Sequence, residues 1–153
     1  MNITREQLLL YAITDRSWLK GETLYEQVEK ALKGGVTLVQ LREKELSEPE
    51  FEAEGRSLLE LCHRYRVPLI INDNVELAER IGADGVHVGQ SDMELTRARE
   101  ILGTDKIIGV TAKTIEQAQA AEKAGADYIG VGAVFGTSTK KNARNTHAMA
   151  DVK

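Results

Sequence analysis

The sequence predicts a parallel (β/α)8 barrel of the TIM type, with about six βα units present (an incomplete barrel), on three observations. Leu77–Gln90 ("LAERIGADGVHVGQ") nearly repeats as Ala120–Ala133 ("AAEKAGADYIGVGA"), and a looser copy, "VEKALKGGVTLVQL", spans Val28–Leu41. Six short apolar runs alternate strictly with helical segments, which implies parallel pairing through right-handed crossovers. Most of those runs lack a polar alternate face, as strands covered on both sides do. An open doubly wound sheet competes with the barrel, but similar units repeated around an axis favour the barrel. Such barrels rarely have fewer than ~200 residues. At this spacing a 153-residue chain is expected to lack two units.

The strands are expected at Leu8–Ile13, Val36–Leu41, Pro68–Ile71, Gly85–Val88, Lys106–Val110 and Tyr128–Val134. In each repeat a glycine lets the preceding helix stop in a left-handed conformation and turn directly into a strand. Ser47 with Glu50 forms a capping box, and Phe51, Leu58 and Cys62 then share one helical face. Thr114 with Gln117 forms a second box, opening a helix with Ile115, Ala118 and Ala121 on its inner stripe.

Composition narrows the function. A net charge of −4 argues against nucleic acid as the main partner. A single cysteine, Cys62, excludes an internal disulfide and fits a reducing compartment. No apolar run approaches the ~20 residues of a membrane span, and the N-terminus has no signal-peptide pattern, so a cytoplasmic protein with no membrane partner is expected. The His and Cys supply cannot build a zinc site, and nothing resembles a nucleophilic triad.

In a parallel barrel the C-terminal strand ends form one rim, where sites are found. Reading past each strand gives Gln40-Leu41-Arg42-Glu43-Lys44, Asn72-Asp73-Asn74, Gly89-Gln90-Ser91-Asp92, Thr111-Ala112-Lys113 and Gly136-Thr137-Ser138-Thr139-Lys140-Lys141. Each has a plainer reading: a solvated charge run for residues 42–45, turn and cap chemistry for Asn72–Asn74, a helix cap for Asp92, a turn for the last. Jointly they say more. Carboxylates on adjacent strands suit Mg²⁺, which takes one or two of them plus substrate phosphates. Arg42, Lys44 and Lys140, with hydroxyls and glycine-flanked amides, suit those phosphates. His87, inside a strand, reads as a satisfied core histidine rather than a catalytic one. His63 reads as solvent-facing, and Trp18 and Tyr25 either flank the mouth or pack.

At these residues the sequence resembles the thiamine-phosphate synthase family. The matching pieces are "YAITD", "VQLREK", "IINDN", "GADGVHVGQSD", "IIGVTAKT" and "GADYIGVGAVFGTSTKKNA", in order from Tyr11 to Ala143. The resemblance implies a transferase that joins a hydroxymethylpyrimidine diphosphate to a thiazole phosphate and releases pyrophosphate. It implies that Gln40, Leu41, Arg42, Glu43, Lys44 and Asn72 bind the pyrimidine diphosphate. Thr111, where the family usually has serine, and Lys140 would touch the diphosphate too, with Arg42, Lys44 and Lys140 in the catalytic roles. Asp73 and Asp92 would carry Mg²⁺, the implied cofactor. Thr137, Ser138 and Thr139 would face the thiazole phosphate. Gly136 stands where proline is common and Asn142 where aspartate is frequent. A thiazole tautomerase of the same fold is disfavoured, because proton shuffling needs no diphosphate grip.

Residues 1–143 are therefore expected to form a partial barrel, and 144–153 an atypical tail without strand or helix pattern. Two further units would complete the thiazole-phosphate pocket, so an inactive or weakly active fragment that only binds the pyrimidine diphosphate is the alternative. Open sheet edges would also invite self-association.

Overall fold

The near-repeat works as a joint between neighbouring strands. Thr37, Asp84 and Asp127 occupy equivalent places in the three copies, each two residues after a glycine with positive φ (Gly35 98°, Gly82 72°, Gly125 87°). Each side-chain oxygen accepts a backbone N–H at the start of the adjacent strand. Thr37 Oγ1 takes Leu10 (2.9 Å), Asp84 Oδ2 takes Leu69 (2.8 Å) and Asp127 Oδ2 takes Ile108 (2.9 Å). An amide at the start of each strand is thereby satisfied, and the bond ties the beginnings of neighbouring strands together.

This computed structural model describes residues 1–90, 93–136 and 138. Its strands are β1 (Tyr11–Ile13), β2 (Leu38–Leu41), β3 (Leu69–Asn72), β4 (Gly85–Val88), β5 (Ile107–Thr111) and β6 (Tyr128–Gly130). Between them lie α1 (Leu24–Lys33), α2 (Glu48–Arg64), α3 (Val75–Ile81), α4 (Leu95–Leu102) and α5 (Ile115–Lys123), with a short 3₁₀ turn at Arg16–Trp18. The strands pair in parallel in the order β1-β2-β3-β4-β5-β6. Every crossover therefore advances in one direction, without the reversal that defines a doubly wound sheet. Six parallel strands curl into an incomplete barrel.

Alternation divides the side chains between two faces. Val39, Leu41, Leu69, Ile71, Val86, Val88, Ile108 and Val110 join the helices in the main core. Leu38, Ile70 and Ile107 point inward and pack with Ile3, which plugs the floor. Above that floor the inner face becomes polar, at Gln40, Asn72, His87 and Thr111. Most strands were expected to lack a polar face; they are apolar on the outer face and at the base of the inner one, and polar above it.

Several boundaries differ from expectation. β1 starts at Tyr11, because the Leu8 and Leu9 amides close turns onto Arg5 and Glu6. β6 stops at Gly130, four residues short of the expected Val134. The Ser47–Glu50 box is present, the Glu50 carboxylate accepting from the Ser47 amide at 3.0 Å. The Thr114–Gln117 box is half formed. Thr114 accepts from the Gln117 amide, but the Gln117 side chain takes the Lys113 amide instead. Ile115 is exposed, so only Ala118 and Ala121 of its stripe turn inward. Met93 does not open a helix; α4 begins at Leu95 behind Glu94.

Candidate active site

The polar upper half of the inner face lines one cavity of about 660 Å³. Gln40, Asn72, His87 and Thr111 reach it from the strands, and Thr14, Asp15, Arg42 and Lys113 from the loops that follow them. A hydrogen-bonded chain crosses its floor. Gln40 Nε2 donates to the Tyr11 hydroxyl at 2.8 Å, and the Tyr11 and Tyr128 hydroxyls lie 2.7 Å apart. His87 Nδ1 is 3.0 Å from the Tyr128 hydroxyl, and its Nε2 is 2.9 Å from Thr111 Oγ1. Burial pushes both phenol pKa values up, so the two tyrosines stay neutral and able both to donate and to accept.

Two glycines make room for this chain. A Cβ on Gly109 would sit 2.0 Å from the Tyr128 ring, and one on Gly130 would sit 3.2 Å from His87 Cε1. His87 is a satisfied histidine, as expected, and it also lines the cavity. Tyr11 and Tyr128 were not singled out by sequence because they begin apolar strands. The pointer was Gly109, which lies opposite Tyr128 in register, and register is invisible before folding.

The end of β2 is held from the side. Thr14 donates its amide to Gln40 O at 3.0 Å and accepts the Arg42 amide on Oγ1 at 3.0 Å. Arg16 Nε donates to both Glu43 oxygens, at 2.9 and 3.0 Å, and its terminal nitrogen reaches Glu54 on α2. Lys44 pairs with Asp73. A recess of about 360 Å³, lined by Asp15–Ser17 and Arg42–Glu45, opens beside the main cavity.

Burial and the neighbouring Glu54 carboxylate push the Glu43 pKa up to about 7, against the pull of Arg16. The folded value lies above the unfolded one, so this site favours folding most below the ordinary glutamate pKa and loses that contribution as pH rises through about 7. Glu43→Gln is expected to flatten the stability profile between about pH 5 and 8, by on the order of 1 kcal/mol. Urea denaturation across that range checks it. A profile as steep as that of the unmodified chain would overturn the assignment.

Residues 10–153 match the family described as thiamine monophosphate synthase. The chain belongs to the thiamine monophosphate synthase family. It is 56% identical to a thiamine-phosphate synthase of Clostridium acetobutylicum, over 88% of this chain and 64% of that protein. It is 53% identical to that of Clostridium novyi, over 94% of this chain and 71% of that one. Among solved structures, a thiamine phosphate pyrophosphorylase from Pyrococcus furiosus superposes with a TM-score of 0.81 at 40% identity, over 87% of this chain and 64% of that one. The chain thus spans about two thirds of the length of the thiamine-phosphate synthases it matches.

Of the residues that the synthase resemblance implicates, Gln40, Arg42, Asn72 and Thr111 come together around the cavity. Leu41 is fully buried, its side chain in the outer core. Glu43 lines the side recess and is engaged by Arg16. Lys44 lines the same recess, and Ser138 is exposed. Thr137, Thr139, Lys140 and Asp92 lie outside the described residues, as does the 144–153 segment. Trp18 flanks the cavity. Tyr25 packs against the core and bonds Arg64, and His63 is outward, 2.9 Å from Asp84.

Asp73 is the described member of the expected Mg²⁺ pair. It takes a left-handed backbone conformation (φ 64°) at the end of β3, with its amide on His87 O at 2.9 Å. Asn74 caps α3 by accepting the Leu77 amide at 2.9 Å. No cluster of three or more His, Cys, Asp or Glu suited to a metal exists among the described residues. A single partly exposed carboxylate fits an ion that completes its shell with water and phosphate oxygens. Among the described residues no helix is long and apolar enough to cross a membrane.

Proposed function

We propose that this chain carries the thiamine-phosphate synthase reaction: hydroxymethylpyrimidine diphosphate plus thiazole phosphate gives thiamine phosphate and pyrophosphate. The observation that supports it best is the shared cavity. Gln40, Arg42, Asn72 and Thr111 meet there above a floor of neutral tyrosines, with Lys113 at the rim. The aromatic and apolar floor suits a flat pyrimidine ring, and the cationic rim suits its diphosphate.

In this reading the bond between the pyrimidine methylene and the diphosphate oxygen breaks, and its electron pair leaves with the diphosphate. The thiazole nitrogen then supplies a pair to the methylene carbon, forming the new C–N bond. Negative charge develops on the departing group, so preorganised donors that meet it lower the barrier, and no protein nucleophile is needed. The Arg42 fork matches two phosphate oxygens, while Lys44 and Lys140 act as point charges. Asp73, with Asp92, would hold Mg²⁺, which supplies charge neutralisation to the phosphates when bound. Lys44 and Asp73 pair with each other, so each charge is balanced; in this reading Lys44 would meet phosphate and Asp73 would help hold the metal. A cytoplasmic location fits these phosphorylated substrates.

The test is a steady-state assay of the chain with both substrates, beside calorimetry with the pyrimidine diphosphate. No binding at all would overturn the reading. Binding without turnover would keep the ligand assignment and remove the reaction. Asp73→Ala should weaken Mg²⁺-dependent pyrophosphate binding at least tenfold, and chelation should do the same to the unmodified chain. Equal binding in the variant, with and without metal, would remove Asp73 from the metal site.

A further inference from the structure

We propose that Arg16 is a positioning residue for the diphosphate grip, acting through Glu43 on Arg42 and Lys44; this rests on the function proposed above. The strand ladder of β2 ends at Leu41, so residues 42–44 have no sheet to hold them. Their placement depends on side-chain contacts. Thr14 fixes the backbone of Arg42 through its hydroxyl, and Arg16 fixes the side chain of Glu43 through two bonds from one nitrogen.

Glu43 lies between the two cations in sequence. All three line the side recess, so anchoring Glu43 restrains the short segment that carries Arg42 and Lys44 on either side of it. Glu54 on α2 takes the far end of the guanidinium, which ties the loop to a helix packed in the main core. Arg16 thus spans three elements: the turn after β1, the end of β2 and α2. Only Arg supplies such a fork; Lys offers a point charge that cannot bridge two carboxylates in fixed orientation.

Arg16 itself is partly exposed at the side recess, so the rival role is a direct contact with the ligand. A double-mutant cycle separates the two. The probe is inorganic pyrophosphate with Mg²⁺, measured by calorimetry, with the unfolding midpoint recorded for each variant. Arg16→Ala is expected to weaken binding about tenfold. In an Arg42→Ala, Lys44→Ala background the same change should weaken it less than twofold, since there is no grip left to position. Glu43→Gln keeps an acceptor for Arg16 Nε and should lose less than threefold.

If Arg16→Ala does not fold, Arg16→Lys replaces it. It is expected to lose at least fivefold in the native background and less than twofold in the double variant. Full and additive losses in both backgrounds would establish direct contact and overturn positioning. Unchanged binding in every Arg16 variant would overturn it as well, leaving the site reading intact. Failure of the unmodified chain to bind Mg²⁺ and pyrophosphate would overturn the site reading, and the positioning role with it.

Discussion

Replacing Asp127 by alanine is expected to destabilise the fold by about 3–5 kcal/mol, the scale for breaking a buried, hydrogen-bonded ion pair from one side. Its carboxylate accepts from the Ile108 amide at 2.9 Å, the Asn2 amide at 2.6 Å and Arg99 at 2.9 Å. Alanine would leave two amides and a guanidinium without that acceptor. The damage extends beyond the site. Asn2 also donates to Thr104 O and Lys106 O, and it holds Ile3 in the barrel floor. Loss of the Asp127 contact loosens that plug.

Burial alone would raise the Asp127 pKa, but the Ile108 and Asn2 amides and Arg99 outweigh it and hold the pKa below the usual carboxylate range. A depressed folded value means stability present above the unfolded pKa and lost as pH falls through the folded one. The acid limb of the stability curve should therefore flatten in Asp127→Ala. Urea denaturation at neutral and acid pH checks both statements. A loss under 1 kcal/mol with an unchanged acid limb would show that the joint is dispensable.

Arg42→Ala is expected to give the largest functional effect among the described residues. Arg42 is half-buried, lines both the cavity and the side recess, and has its backbone held by Thr14. Removing one preorganised donor to a developing anion costs roughly 2–4 kcal/mol of transition-state stabilisation, or about 10²–10³ in kcat. The structural cost should be small, because neither the Thr14 bond nor the Glu43 anchor involves the guanidinium. Single-turnover kinetics in a full-length relative, beside the unfolding midpoint of the variant, separates the two. A rate within threefold of the unmodified enzyme would move the grip elsewhere, to Lys44, Lys113 or Lys140.

The two experiments probe opposite ends of the same sheet. Asp127 acts where β5 and β6 begin, and Arg42 where β2 has just ended. Such a division is common to parallel barrels, in which one rim serves stability and the other chemistry. The Thr37, Asp84 and Asp127 joints all lie at the stability rim, so the most repetitive part of the sequence is its scaffold. The non-repeating strand ends carry the candidate site.

Much of this was legible in the chain. The alternation of apolar runs with capped helical segments determined six parallel strands, since a short apolar run and a 3.6-residue stripe are local properties. The turn chemistry at Asn74 and Ser47 was readable for the same reason. That Gln40, Arg42, Asn72 and Thr111 would lie near one another was legible because a parallel barrel gathers its C-terminal strand ends on one rim. What only the tertiary structure decided depends on register and on contacts far apart in sequence. That the repeated aspartates cap neighbouring strands required knowing which amide lies beside each. That Tyr11, Tyr128 and His87 form one chain required Gly109 to lie across from Tyr128, residues 19 positions apart placed by β5–β6 pairing. That Glu43 engages Arg16 instead of lining the large cavity was hidden because a charge run gives no partner: residue 43 meets residues 16 and 54 only when the loops close. Local pattern specifies elements and their order; hydrogen bonds between distant loops specify the site, because their geometry exists only after the strands are in register.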